Sequence, residues 1–288
     1  MINELKINFY RLIRTTSFRV ILVLLVLSSI CSAVEVKAFV DDPGGIMSYI
    51  FAVGSVEEKD SEIEESEPEV GGVDIDVSLS KLSNTLRNTN TIQGVLKIQY
   101  YDSAVFLFYA IMTALFVGAE FKSRFHVNRF SVNTSPVTIV MGEWVSLLIV
   151  SFILEIIGYG IALGLSYLLC NSFSSGSPLD LLSDFCFVSG ISCVYITLAY
   201  AIAYIRRTSA MSIVCCALLS SGVLDIVFLF AAKWVKPLQY FAFSSTMNRL
   251  LYDSMPSNDM IGIYLAMFVV TAISLGSTLA VASKRDAY

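Results

Sequence analysis

Six long apolar stretches, separated by shorter polar ones, dominate the chain. A run of about 20 apolar residues crosses the hydrocarbon of a bilayer as one helix. Runs of this kind fall at about 18–40, 103–120, 143–170, 183–205, 209–232 and 260–282. They predict an all-α integral membrane protein with six transmembrane helices. Only Arg206, Arg207 and Thr208 separate the fourth run from the fifth, which forces a tight hairpin if the arginines are to stay out of lipid.

Ahead of the first run, Ile2, Leu5, Phe9, Leu12 and Ile13 recur at helical spacing while Lys6, Arg11 and Arg14 are polar. Residues 1–17 therefore read as an amphipathic helix lying in the membrane interface. A plain basic, topology-setting start is the other reading. A secretory signal ending near Cys31-Ser32-Ala33 fits less well, because the apolar run is long for that purpose. Residues 18–288 make the transmembrane domain, which includes a large loop at 41–102.

Composition agrees with lipid as the solvent. Of 288 residues, 56% are hydrophobic and 15% charged, too few polar groups to cover a water-facing surface. The net charge of -5 is local, since thirteen of the 24 acidic residues lie between Asp41 and Asp102. In the middle of that loop, EEKDSEIEESEPE at 57–69 is too charged and too poor in large apolar groups to pack. Farther on, Ile75, Leu79, Leu82 and Leu86 have the spacing of an external helix. Asp74 and Asp76 lack the glycine and terminal glutamate of a calcium loop and read as solvated charge.

Lysine and arginine are dense at one set of ends: Lys6, Arg11, Arg14 and Arg19, then Lys122, Arg124, Arg129, Arg206, Arg207, Lys284 and Arg285. By the positive-inside rule this side is cytoplasmic, with both termini. No basic tract is extensive enough to suggest nucleic acid as a partner.

Little in the sequence carries chemistry. His126 is the only histidine, and there is no GxxxxGK[ST], GxGxxG, GxSxG or HExxH. The expectation is a chain that is not an enzyme, with no catalytic residue, cofactor site or metal site of its own. The six cysteines form no CxxC pair and read as small buried hydrophobes, with a Cys170–Cys186 disulfide left open. Glu155 and Asp225 lie within apolar runs, where an ionised group is costly unless it faces a partner or water. Each is a candidate for a translocation route or for a helix-to-helix contact. Gly158, Gly160 and Gly164 offer small-residue spacing for close packing. The aromatic stretch KWVKPLQYFAFSSTMNRLLYDSMPSND reads as an external segment dipping into the outer interface.

The connection between the second and third runs is EFKSRFHVNRFSVNTSPVTIVMGE, residues 120–143. Glu120, Phe121, Arg124, Phe125, Arg129 and Phe130 would form a basic, aromatic cytoplasmic helix suited to docking another protein. A connection made basic only by topology is the alternative.

Taken together, the basic amphipathic start, the six spans, the external loop after the first, the Glu120-Phe121 exit with its Ser135-Pro136 turn, and the apolar segment before the sixth span resemble the membrane subunit of the type-2 ABC exporter (ABC-2 permease) family. The resemblance covers nearly the whole chain. It departs at Thr138, where an arginine is common, and at Gly142-Glu143, where Gly-Lys is common. It implies a coupling helix within Glu120–Met141, flanked by residues 2–16, that docks on a cytoplasmic ATP-binding subunit holding ATP and Mg. It further implies a second permease copy or paralogue, an exported amphiphilic cargo such as a peptide, antimicrobial or lipid-like molecule, and a bacterial cell membrane. Lantibiotic or bacitracin self-protection is the nearest cargo class. Two readings from other classes stand beside it: an ion-coupled secondary transporter, which predicts repeated halves and discontinuous spans, and a membrane sensor built on the acidic loop.

Overall fold

A computed structural model describes residues 2–41, 100, 104–123, 135–169, 178–252 and 257–285. In chain order the helices are α1 (Ile2–Arg14), α2 (Thr16–Asp41), α3 (Ala104–Lys122), α4 (Pro136–Leu169), α5 (Pro178–Arg206), α6 (Ser209–Ser220), α7 (Val223–Ala232), α8 (Phe243–Tyr252) and α9 (Ser257–Arg285), with a 3-10 turn at Lys236–Phe241. No strand occurs among the described residues.

Among the described residues five helices are long and apolar enough to cross a membrane, and a sixth crossing results if α6 and α7 are one bent span. The described residues are thus almost wholly helical, and the chain reads as a multi-pass membrane protein. The crossing segments fall at Thr16–Val34, Val105–Lys122, Pro136–Leu165, Leu181–Arg206 and Asp259–Lys284. The acidic stretch 57–69, the expected helix around Ile75–Leu86 and Cys170 lie outside the described residues.

Burial separates central spans from peripheral ones. In α3 and α5, 61% of the most apolar window is covered by the rest of the chain, against 28% in α2 and α9. The central pair carries the large buried rings: Phe106 and Tyr109 on α3, Tyr195 and Tyr200 on α5, with Phe106 and Tyr195 stacked at 5.7 Å. Outward faces remain apolar, as in Ile226, Phe230, Leu265 and Phe268, because lipid takes the place of water there.

Two sequence expectations change. The third span begins at Pro136 rather than 143, because the Ser135 carbonyl accepts from the amides of Thr138 and Ile139 at 2.9 and 3.2 Å. Proline at the first helical position lacks only an amide that would have had no partner, so the Ser-Pro turn is itself the start of the long helix. The fifth apolar run, 209–232, is not one rod. It bends by 59° between α6 and α7, where Gly222 takes the left-handed conformation at φ +75. Residues with a Cβ rarely adopt that conformation, and glycine adopts it freely.

The tight hairpin before α6 forms as the sequence requires. Arg206 and Arg207 are exposed, Arg207 turns the chain at φ 55, and the Ser212 hydroxyl donates to the Ala199 carbonyl at 2.8 Å to tie α6 to α5.

Candidate functional site

Buried polar groups concentrate at three levels of the bundle. The first level starts from the kink between α1 and α2. Thr15 makes it: its hydroxyl donates to the Leu12 carbonyl at 2.7 Å and accepts from the Phe18 amide at 3.3 Å. That is an N-cap for α2. The kink lays α1 across the bundle, mainly against α4, with Asn8 and Leu12 wholly buried and Ile7, Tyr10 and Ile13 exposed.

In this position Arg11 reaches Glu120, near the end of α3. Its Nη1 donates to Oε1 at 2.7 Å, and the Glu120 side chain is 1% exposed. The Glu143 carboxyl, in the second turn of the span entered from the opposite side of the 123–135 connection, lies within hydrogen-bonding reach of Glu120. The Tyr200 hydroxyl donates to Glu143 at 3.0 Å, and the Trp144 indole donates to the Thr197 hydroxyl at 2.9 Å. Charge-assisted hydrogen bonds thus tie α1 to α3 and α5 to α4, with the two carboxyls side by side, and apolar surroundings strengthen them.

Of the residues expected to form a docking surface, Glu120 is buried in this cluster and Phe121 is half-buried, its ring edge-on to Tyr204 at 5.5 Å. Arg124, Phe125, Arg129 and Phe130 lie outside the described residues. The sequence marks Glu143 only as a departure from Gly-Lys, because it stands at the mouth of an apolar run, whereas Glu155 and Asp225 stand within one.

The second level is Glu155, 1% exposed on α4. The Ser189 hydroxyl of α5 donates to its Oε2 at 2.6 Å, and the Tyr100 hydroxyl donates to its backbone carbonyl at 3.4 Å. Of the three nearby glycines only Gly158 faces inward, where Tyr100 and Leu25 occupy the space a side chain would need; Gly160 and Gly164 have nothing within 4 Å.

The third level is Asp225, 1% exposed on α7. Its Oδ2 accepts from the Ser245 backbone amide in the first turn of α8. A carboxylate there satisfies an amide that has no intrahelical acceptor and complements the helix dipole. Beside it a cavity of about 190 Å³ is bordered by Ser245, Tyr240 and Asp259, and the Tyr240 hydroxyl donates to Asp259 at 3.2 Å. The three levels do not merge: Glu155 and Asp225 bind different helices by different donors.

Among the described residues no group of three or more His, Cys, Asp and Glu side chains is placed to hold a metal ion. Cys186 is exposed and free. No family model, curated protein or solved structure matches the chain.

Proposed function

We propose that the chain is the membrane-spanning permease subunit of an exporter driven by a separate ATP-binding subunit, and that it works beside a second copy or a paralogue. ATP and Mg belong to the partner subunit, and the cargo is amphiphilic: a peptide, an antimicrobial or a lipid-like molecule. In this reading α1, the 123–135 connection and both termini face the cytoplasm of a bacterial cell.

The observation that carries the reading is the Arg11–Glu120–Glu143 cluster. A subunit pushing on the 123–135 connection would act on two helices that run unbroken from it into the bundle, α3 and α4. Glu120 on α3 and Glu143 on α4 lie side by side next to the connection, where Arg11 fastens α1 to Glu120 and Tyr200 fastens α5 to Glu143. A displacement delivered there moves three elements as a unit, as packed helices transmit rigid-body shifts.

The test is a search of the neighbouring genes for a P-loop ATPase and, with the one found, co-purification with the chain followed by ATPase measurement in proteoliposomes. Phe125→Asp and Phe130→Asp are expected to release the ATPase or abolish its stimulation. Unchanged complex and activity in both variants removes the docking assignment.

The 59° break in the fifth span supports a second reading, an ion-coupled secondary transporter, because discontinuous helices accompany ion sites in that class. The same proteoliposomes decide between the two. Cargo movement under an ion gradient, with no ATPase present, selects the second reading.

A further inference from the structure

A recess of about 290 Å³ opens where the end of α1 meets α3, bordered by Tyr10, Arg11, Arg14, Thr15, Phe116 and Glu120. Its walls differ in character. Phe116 gives it an apolar side, buried in the bundle. The Arg14 guanidinium stands at its mouth, exposed, stacked over the Tyr10 ring at 4.6 Å, and makes no ion pair among the described residues. Arg11 lies deeper, bonded to Glu120 at 2.7 Å and 6.0 Å from the centre of the Phe116 ring.

We propose that this recess binds the phosphodiester of an anionic phospholipid headgroup. An interfacial helix such as α1 sits at headgroup depth, and basic recesses between transmembrane helices at that depth hold anionic headgroups. Stacking on Tyr10 holds the Arg14 fork in place, so it can meet two phosphate oxygens with little further loss of freedom. The charge arithmetic selects the ligand class. Among the residues bordering the recess Glu120 offsets Arg11, and Glu143 behind it adds a second carboxyl, so the recess carries at most one net positive charge, that of Arg14. A phosphodiester carries one negative charge, whereas a phosphomonoester carries nearly two and would face the Glu120 carboxylate uncompensated. The apolar Phe116 wall suits the glycerol and first methylenes of a lipid better than a free ion. The inference rests on α1 lying in a membrane interface, not on the export reading.

The test uses the full chain in nanodiscs of phosphatidylcholine doped with phosphatidylglycerol or phosphatidic acid, with retained lipid read by native mass spectrometry. Phosphatidylglycerol is expected to be kept in preference to phosphatidylcholine, with phosphatidic acid held no more tightly than phosphatidylglycerol. Arg14→Gln is expected to lower that preference about fivefold, the effect of one basic residue near an anionic surface. Arg14→Lys, which keeps the charge, is expected to lose less. Arg14 is exposed, so unchanged thermal unfolding of both variants will show that the fold is intact. Equal retention of phosphatidylglycerol and phosphatidylcholine, or an undiminished preference in Arg14→Gln, overturns the site. Displacement of the bound lipid by inorganic phosphate overturns the headgroup in favour of a free anion.

Discussion

Arg11 and Glu120, 109 positions apart in sequence, share a 2.7 Å hydrogen-bonded ion pair whose acid is buried and whose base is 29% exposed. The partial exposure of Arg11 screens the attraction, so the pair is worth less than a wholly buried one. Removing the base leaves a carboxylate in an apolar site, which is the larger effect. Arg11→Ala is therefore expected to lower stability in detergent by about 1–3 kcal/mol. Glu120→Gln should cost less, and a double-mutant cycle with Arg11→Ala should give a coupling energy of at least about 0.5 kcal/mol. Strict additivity in thermal or denaturant unfolding would show that the two residues act separately.

Glu155 and Ser189 bond α4 to α5 at 2.6 Å inside the bundle. Glutamine at 155 keeps an acceptor for the serine, whereas alanine removes it and opens a cavity. Glu155→Gln should be nearly neutral for stability, and Glu155→Ala should cost about 2–3 kcal/mol. Equal loss in the two variants would mean that the hydrogen bond contributes nothing measurable. If Glu155→Gln keeps its stability but loses cargo flux, the carboxylate has a role in the route beyond this contact.

Asp225 accepts from the Ser245 amide in the first turn of α8, a cap supplied from a distant helix. Asp225→Ala is expected to cost about 1–2 kcal/mol, in the range of a lost N-cap, and Asp225→Asn a fraction of that. The loss should be local, raising hydrogen exchange across 243–252 before the rest of the bundle. Protection that stays unchanged at α8 in Asp225→Ala would contradict the capping role.

Gly158 and Gly222 are glycines for different reasons. A methyl group at 158 meets Tyr100 and Leu25, and one at 222 meets the cost of the left-handed backbone, φ +75. Gly158→Ala should cost about 1–3 kcal/mol through overpacking, and Gly222→Ala about 1 kcal/mol through backbone strain. Gly160→Ala and Gly164→Ala, with open space around both, should leave the fold of a single chain unchanged. Circular dichroism melts in detergent compare all four.

How far the sequence reached depended on the range of the force involved. Five of the apolar spans and their rough limits were legible because bilayer thickness sets them, and α1 was legible from the spacing of Leu5, Phe9 and Leu12. The break at Gly222 was not, since Ser220-Ser221-Gly222 leaves the average hydropathy of the 209–232 run high enough for one straight helix. Ser135-Pro136 was visible as a turn, yet its role as the first turn of α4 depended on backbone hydrogen bonds that no local pattern reveals. The partners of Arg11, Glu143 and Asp225 come from tertiary packing, so neither cluster could be assembled from residue spacing. Glu155 and Asp225 stood out as costly charges in lipid, and the structure supplies the donors that offset that cost.

If α6 and α7 are one span, the bend between them leaves the protein shorter along that flank. Its two pieces of 12 and 10 residues are about 18 and 15 Å long. With the first upright and the second tipped by 59°, they rise only about 26 Å against a hydrocarbon layer of about 30 Å. Acyl chains beside Ile226, Val227 and Phe230, all exposed, must bow or shorten to meet that edge. As one span, that flank would act as a dent in the surrounding lipid, a place where leaflet thickness and protein shape influence each other.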